Sequence, residues 1–290
     1  MNENEERWKF LAEGLGLDRL TDVVDIGANP LDDPPYKPLL DAKLCRVHGF
    51  EPQPEAFEKL QQTKSDLETY YDCAVGNGKK QTLNIYQQSG LSSVFELDME
   101  SIEFLGRSKR AATLREQVPL TTRRLDKIDG ITNIDLLKID VQGAESMIFD
   151  SGKSKLKDAV AVVTELRFFP LYYDEKLQDA QINRLAAFGL MFHKLLFVKS
   201  KMISNSQAAR LRPRALQTQA IDGDAVFVKD LRDPDKISDA QLGHLAMLSD
   251  AVFASYDLTI RCIDLLALRK KISDSLAAEY VEYLPAHVRR

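Results

Sequence analysis

Short apolar runs alternate with amphipathic stretches along most of the chain. Two stretches between the runs indicate helices, one at 54–64 that opens at Pro54 and one near 143–151. Strands that alternate with helices predict a mainly parallel sheet covered on both faces. The runs are brief, end at turn signals or charged residues, and are typical of buried strands: 22–26, 44–50, 69–76, 134–140 and 159–166.

Several segments depart from the alternation of apolar runs and helices. The alternating segment 80–87 favours a β-excursion after a glycine turn, and 189–198 with 223–230 predicts an antiparallel strand pair at an edge of the sheet. Beyond Asp230, a charged segment with Pro234 precedes three helical stretches. They are interpreted as a cap on the main domain or as a dimerisation or substrate-lid element. The predicted organisation is an N-terminal helix (1–20), a main domain (21–230) and a C-terminal helical extension (231–290).

Composition excludes several classes of protein. The 290 residues are 44% hydrophobic and 29% charged, which excludes collagen-like and disordered chains. No apolar run reaches the roughly 18 residues of a membrane span, and the polar N-terminus lacks a secretory signal, so a cytoplasmic location is expected. The net charge of −5 argues against a nucleic-acid partner. Three widely spaced cysteines predict buried thiols rather than a disulfide framework.

A glycine turn follows the first strand, and an acid ends the second. Glu51 lies at the distance from Gly27 at which Rossmann-like folds bind a ribose. Asn29 replaces the second glycine of a dinucleotide fingerprint, and the nearby Asp32 and Asp33 would repel a pyrophosphate. The turn therefore favours S-adenosylmethionine over NAD or FAD. The alternative is a simple turn glycine with Glu51 as a surface acid.

A second acidic position ends the strand at 134–140. Asp140 is expected to face the cleft, because ligands of open α/β sheets bind at the carboxyl ends of the strands. Glu165 lies near the end of the next strand and is a lesser candidate for the same cleft. Glu145 either serves there or caps the following helix.

Several segments resemble the FkbM family of S-adenosylmethionine-dependent methyltransferases. They are VVDIGANP, GFEPQPEAFEKL, DCAVGNGKKQTLNIY with SGLSSV, VPLTTRRLDKI and IDLLKIDVQGAESMIFDSG, within residues 22–230. The resemblance implies the class I methyltransferase fold, a Rossmann-like α/β architecture with a seven-stranded, mainly parallel sheet, helices on both faces and one antiparallel strand near an edge. It also implies O-methylation of a hydroxyl on a sugar, glycan or related small metabolite.

The resemblance assigns roles to individual residues. Asp140 would be the general base or a metal ligand, aided by Glu165 or His193, although His193 is more typical of a structural histidine. Ser92 and Ser93 match a family hydroxyl pair near the substrate. The residues expected to line the S-adenosyl-L-methionine site are Asp25, Gly27, Ala28, Asn29, Glu51, Pro52, Gln53, Cys73, Ala74 and Asp140.

Three features leave alternatives open. Gln142 stands where the family commonly has Glu, which weakens the case for Mg²⁺. Arg212 and Arg214, in a loop between the last two strands, either bind an anionic acceptor or form a solvated basic loop. The unusual loop 30–38 and Gln142 also allow an inactive cofactor-binding scaffold, and an NAD-dependent oxidoreductase is a weaker rival. The expected partner is a small-molecule or glycan acceptor, and the C-terminal helices could also form the interface of a homodimer.

Overall fold

The computed structural model describes residues 3–290, which form ten α-helices and eleven strands within that range. The strands are β1 Thr21–Ile26, β2 Cys45–Phe50, β3 Glu68–Tyr71, β4 Ala74–Val75, β5 Lys80–Tyr86, β6 Leu114–Arg123, β7 Leu136–Ile139, β8 Ala161–Arg167, β9 Leu190–Leu195, β10 Lys199–Lys201 and β11 Gln219–Lys229. The helices are α1 Glu3–Leu15, α2 Lys37–Asp41, α3 Pro54–Thr63, α4 Met99–Phe104, α5 Glu145–Ser151, α6 Lys153–Leu156, α7 Gln178–Ala186, α8 Asp239–Ala251, α9 Tyr256–Leu268 and α10 Leu276–Glu282.

The main sheet has the order β10-β11-β8-β7-β1-β2-β3. The strands from β8 to β3 are parallel to their neighbours, and β11 is antiparallel to β8, β9 and β10. This arrangement confirms the predicted α/β class and the antiparallel terminal pair. The sheet contains eight strands because β9 and β10 both pair with the same edge of β11.

The central strands are buried on both faces. Every residue of β1 and β8 is buried, which explains why both strands contain consecutive apolar residues rather than an alternating pattern. Only Lys138 interrupts the buried pattern of β7. Because β1 is parallel to both β2 and β7, the carboxyl ends of these three strands lie at one edge of the sheet, above a continuous apolar core.

A second sheet of three strands, with the order β4-β6-β5, lies outside the main one. The predicted strand 69–76 is divided between the sheets, because β3 ends at Tyr71 and β4 begins at Ala74. The predicted excursion at 80–87 is β5. No strand was predicted for β6, since most of its residues are exposed and its apolar alternation is limited to Val118 and Leu120.

The three predicted C-terminal helices are α8, α9 and α10. Together with α1 they share one apolar core with residues of β1, β7 and β8, so both ends of the chain pack on the same side of the main sheet. At the centre of this region the Asp250 carboxylate is buried and accepts hydrogen bonds from Arg7 Nε at 2.8 Å, from Trp8 Nε1 at 2.6 Å and from the Tyr280 hydroxyl. None of the helices in residues 3–290 combines the length and the apolar composition needed to cross a bilayer.

Candidate functional site

One large cleft opens at the carboxyl ends of β1, β2 and β7, with a volume of about 1530 Å³. It extends past β8 and β11 on one side and past the small sheet on the other. Most of the residues predicted from the sequence line it, although they come from distant parts of the chain: Asp25, Gly27, Ala28, Asn29, Glu51, Pro52, Gln53, Cys73, Ala74, Ser92, Asp140 and Glu165.

The glycine turn after β1 is tied to both neighbouring strand ends. Gly27 N and Ala28 N both donate to the carbonyl oxygen of Phe50, at 3.0 and 3.1 Å, and Asp140 N donates to Ile26 O at 3.1 Å. Gly27 has a φ of 84°, in the left-handed region that favours glycine. The turn therefore needs this glycine for its conformation and serves as the junction between β2 and β7.

Glu51 is a buried cleft residue rather than the surface acid of the alternative interpretation. It is only 2% exposed, and its carboxylate accepts from Gln53 N at 2.8 Å. Burial raises the pKa of Glu51 above its ordinary value, and the nearby Asp25 carboxylate acts in the same direction. A buried carboxylate with one protein donor keeps lone pairs for further donors from a ligand.

Asp140 lies at the tip of β7 and lines the cleft. Its Oδ1 accepts a 2.7 Å hydrogen bond from Gln142 Nε2, so the glutamine that departs from the family pattern orients the acid. Glu145 accepts from the backbone N–H groups of Val141 and Gly143, at 3.2 and 3.1 Å. Burial raises the pKa of Glu145 to about 7. These contacts hold the turn that carries Asp140. They are not the predicted helix cap, because both donors precede α5 and its N-cap residue Ala144 makes no side-chain cap hydrogen bond.

Glu165 belongs to a buried network around one guanidinium. Arg167 lies 2.5 Å from Glu165 Oε2, 2.9 Å from Asp222 Oδ2 and 3.2 Å from Glu175 Oε2. Burial disfavours the ionised form of each carboxylate, and the single positive charge of Arg167 does not compensate for this at all three. The pKa of Glu165 is therefore raised well above its ordinary value. Because Arg167 already binds its Oε2 oxygen, Glu165 is less available as a general base than Asp140.

Asp140, Glu145 and Glu165 each place a carboxylate oxygen within 4.8 Å of the others. Hard divalent cations prefer such oxygens. Here Glu145 Oε1 is bound to two backbone N–H groups and Glu165 Oε2 to Arg167. These oxygens already have donors, and a guanidinium lies next to the cluster. The donor set therefore does not fit an Mg²⁺ site well.

Several cleft residues were missed in the sequence, among them Lys138, Tyr36 and Asp224. Lys138 lies 3.2 Å from Asp25 Oδ1, and the Tyr36 hydroxyl donates to Asp25 Oδ2 at 2.6 Å. Asp224 on β11 also lines the cleft, and burial raises its pKa to about 6. Lys138 had a visible signal, because a lysine inside the run LLKI is unusual in a buried strand. Tyr36 and Asp224 had none.

Three predicted substrate residues do not line the cleft. Ser93 is buried; its hydroxyl donates to Gln142 O at 2.6 Å and accepts from Phe95 N at 3.1 Å, so it stabilises the turn after Asp140. Arg212 and Arg214 are exposed on the loop before β11. Their exposure outside the cleft agrees with the second interpretation from the sequence, a solvated basic loop, rather than with a site for an anionic acceptor.

Two histidines have structural contacts. His193 Nε2 lies 2.9 Å from Ser255 Oγ, on the side of the C-terminal helices, and does not line the cleft. His48 Nδ1 lies 3.2 Å from the Tyr71 hydroxyl. Burial lowers the pKa of both imidazoles. One hypothesis from the sequence was that His193 aids Asp140. Its position outside the cleft does not support that role.

Comparisons with known proteins give one informative match. The family model described as "Methyltransferase FkbM domain" matches residues 25–196, which is more than half of the chain. This range includes the glycine turn, Glu51, Asp140 and Glu165. Comparison with functionally curated proteins gives no match.

Similar solved structures are distant. A putative methyltransferase from Thermoplasma acidophilum is 11% identical, with a TM-score of 0.37 over 74% of this chain and 70% of that one. Magnesium protoporphyrin IX methyltransferase from Synechocystis PCC 6803, solved with bound S-adenosylmethionine, is 10% identical, with a TM-score of 0.38 over 78% of each chain. A precorrin-6y C5,15-methyltransferase from Geobacter metallireducens is 14% identical, with a TM-score of 0.33 over 78% of this chain and 88% of that one. Likenesses this distant do not identify the acceptor of this chain.

Proposed function

Because this chain belongs to the FkbM family of S-adenosylmethionine-dependent methyltransferases, we propose that it transfers a methyl group to a hydroxyl oxygen of a sugar, glycan or related small metabolite. The observation that carries the proposal is the joint position of Glu51 and Asp140. Both open into one cleft, from strand ends that flank the turn at Gly27. One carboxylate can bind the cofactor while the other faces the reacting atoms.

In this proposal the cofactor lies across the tips of β1 and β2. The buried Glu51 carboxylate accepts from the two ribose hydroxyls, and its position at the end of β2 suits that role. Pro52, Gln53, Cys73 and Ala74 line the cleft beside it and would surround the adenine. The methionine end would lie over Gly27, near Asp25. Asp140 and Glu165, from β7 and β8, line the same cleft and would face the methyl group that the cofactor supplies.

Methyl transfer to oxygen is an in-line displacement at the sulfonium methyl. The oxygen forms a bond to the methyl carbon, the carbon–sulfur bond breaks with its electrons retained by sulfur, and the acceptor hydroxyl loses its proton. Alignment of oxygen, carbon and sulfur supplies much of the rate enhancement. A sugar hydroxyl is a weak nucleophile, so a base is needed at the acceptor oxygen. We assign this role to Asp140, which Gln142 holds in place.

The part of the cleft beyond Asp140 would receive the acceptor. Lys199, Asp224 and the half-exposed ring of Phe197 line it. An apolar ring beside hydrogen-bonding groups suits a sugar, whose faces are apolar and whose edges carry hydroxyls. The Glu165 carboxyl also lines the cleft, and it would form a hydrogen bond to the acceptor and so position it. This assignment makes Glu165 a positioning group and leaves Asp140 as the base.

The proposal is tested with S-adenosylmethionine carrying a labelled methyl group and a panel of sugars, nucleotide-linked sugars and glycans. The expected product is a methyl ether, identified by mass spectrometry and by fragmentation that places the label on oxygen. A labelled methylamine would contradict oxygen as the acceptor atom. Binding of S-adenosylhomocysteine without transfer to any acceptor class, including metabolites of a cell extract, would instead favour the inactive scaffold.

A further inference from the structure

The cleft contains one largely buried cation, Lys138, beside the glycine turn. Of the residues in 3–290, four cationic side chains line the cleft: Lys37, Lys43, Lys138 and Lys199. Lys37 is paired with Asp41, Lys43 is exposed, and Lys199 is half-exposed and 3.3 Å from Asp222. The Lys138 side chain, by contrast, is only 16% exposed and lies next to Gly27.

Lys138 has two partners for three N–H groups. Its ammonium donates to Gly27 O at 3.3 Å and lies 3.2 Å from Asp25 Oδ1. Within the described chain no third acceptor lies within hydrogen-bond distance of it. An ammonium carries three donors, so one of them is free for a ligand in the cleft.

The backbone of the turn has few donors left for a ligand. Gly27 N and Ala28 N are both bound to Phe50 O, and Leu31 N donates to Asn29 O at 2.9 Å. Pro30 has no N–H, so Asn29 N is the one amide of 27–31 without a backbone acceptor. The turn can therefore give an anionic group one backbone hydrogen bond at most, from Asn29 N, and any further donor must be a side chain. The acids that surround the turn, among them Asp32 and Asp33, would repel such a group.

From these contacts we infer that Lys138 binds the α-carboxylate of the amino-acid end of the cofactor. The inference rests on the proposed cofactor site. The amino-acid end is a zwitterion, and the Asp25–Lys138 pair presents the opposite charges 3.2 Å apart. The carboxylate accepts the free N–H of Lys138, and the ammonium of the cofactor faces the acidic side, at Asp25. The Tyr36 hydroxyl holds the other oxygen of Asp25 and so fixes the pair.

The test compares two ligands that differ in one group. S-Adenosylhomocysteine has the carboxylate, and its decarboxylated analogue, S-adenosyl-3-thiopropylamine, keeps the amine but lacks the carboxylate. In the unmodified protein, calorimetry should show tighter binding of S-adenosylhomocysteine by about 10-fold or more. In Lys138→Met that preference should disappear, because only the affinity for the carboxylate ligand falls. Lys138→Arg keeps the charge and should retain part of the preference.

Two results would overturn the inference. One is equal affinity of the unmodified protein for the two ligands, which needs no variant and is independent of whether Lys138→Met folds. The other is a Lys138→Met protein that loses affinity for both ligands by the same factor, since Lys138 would then act on the shape of the cleft. If the unmodified protein binds neither ligand, the proposed cofactor site itself is wrong, and the inference falls with it.

Discussion

A Cβ atom at Gly27 would lie 2.1 Å from the backbone carbonyl oxygen of Asp140. The turn after β1 and the tip of β7 are therefore in direct contact, with no room for a side chain. The same two segments are joined by the 3.1 Å hydrogen bond from Asp140 N to Ile26 O. The position of the candidate base thus depends on the glycine of the candidate cofactor turn.

Gly27→Ala should destabilise the protein strongly. It combines a backbone clash with a φ of 84°, so we expect a loss of about 3 kcal/mol or more in the free energy of unfolding. Gly16→Ala is a matched control, since Gly16 has a φ of 59° but no atom within 4 Å of the place that a Cβ would occupy. That control should lose only about 1 kcal/mol. Urea unfolding measures both, and equal losses would contradict the contact.

Asp140→Asn should abolish turnover while the cofactor still binds. Loss of a positioned base lowers kcat by about 10²–10⁴-fold, and the asparagine oxygen still accepts from Gln142. The affinity for S-adenosylhomocysteine should change only a few-fold. Asp66→Asn is the control and should retain turnover, because Asp66 lines the cleft but is exposed. Unchanged turnover in Asp140→Asn would exclude Asp140 as the base.

Cofactor affinity should decrease at acidic pH through Glu51. The ribose hydroxyls donate to the ionised carboxylate, and burial raises the pKa of Glu51, so affinity should begin to fall at a pH above the ordinary Glu value. Below the pKa the dissociation constant rises by up to about tenfold per pH unit. Glu51→Gln should bind about 10-fold more weakly and show a flatter pH dependence.

Asp224→Asn separates this effect from a second titration. The pKa of Asp224 is raised to about 6, so Asp224 also titrates in the acidic range within the cleft. If the pH dependence of S-adenosylhomocysteine binding persists in Glu51→Gln and disappears in Asp224→Asn, the assignment of Glu51 is wrong. Calorimetric titrations from pH 5 to 8 provide the comparison.

Asp250→Asn should destabilise the fold without a direct effect on the cleft. The substitution leaves the buried Arg7 guanidinium without a counter-charge, which costs about 3–5 kcal/mol. Asp274→Asn removes an exposed pair with Lys270 and should cost less than about 1 kcal/mol. Denaturant unfolding distinguishes the two. Comparable losses would show that the Arg7–Asp250 pair contributes no more than a surface pair.

The sequence alone determined the parts of this protein that depend on local pattern. The strands β1, β7 and β8 were predicted because each contains two or more consecutive apolar residues, which is the local signature of a strand buried on both faces. Gly27, Glu51 and Asp140 were placed at strand ends by the same reasoning, since the carboxyl ends of parallel strands meet at one edge.

Only the tertiary structure decided which side chains contact each other across that edge. The pairing of Lys138 with Asp25 depends on the register of β1 against β7, and the position of Asp224 depends on the antiparallel pairing of β11 with β8. Ser93 was expected in the cleft, but hydrogen bonds to the turn after Asp140 keep its hydroxyl occupied. These contacts join segments far apart in the chain, and no local periodicity encodes them. Which charged side chains meet in the cleft therefore depends on tertiary packing and could not be predicted from the sequence.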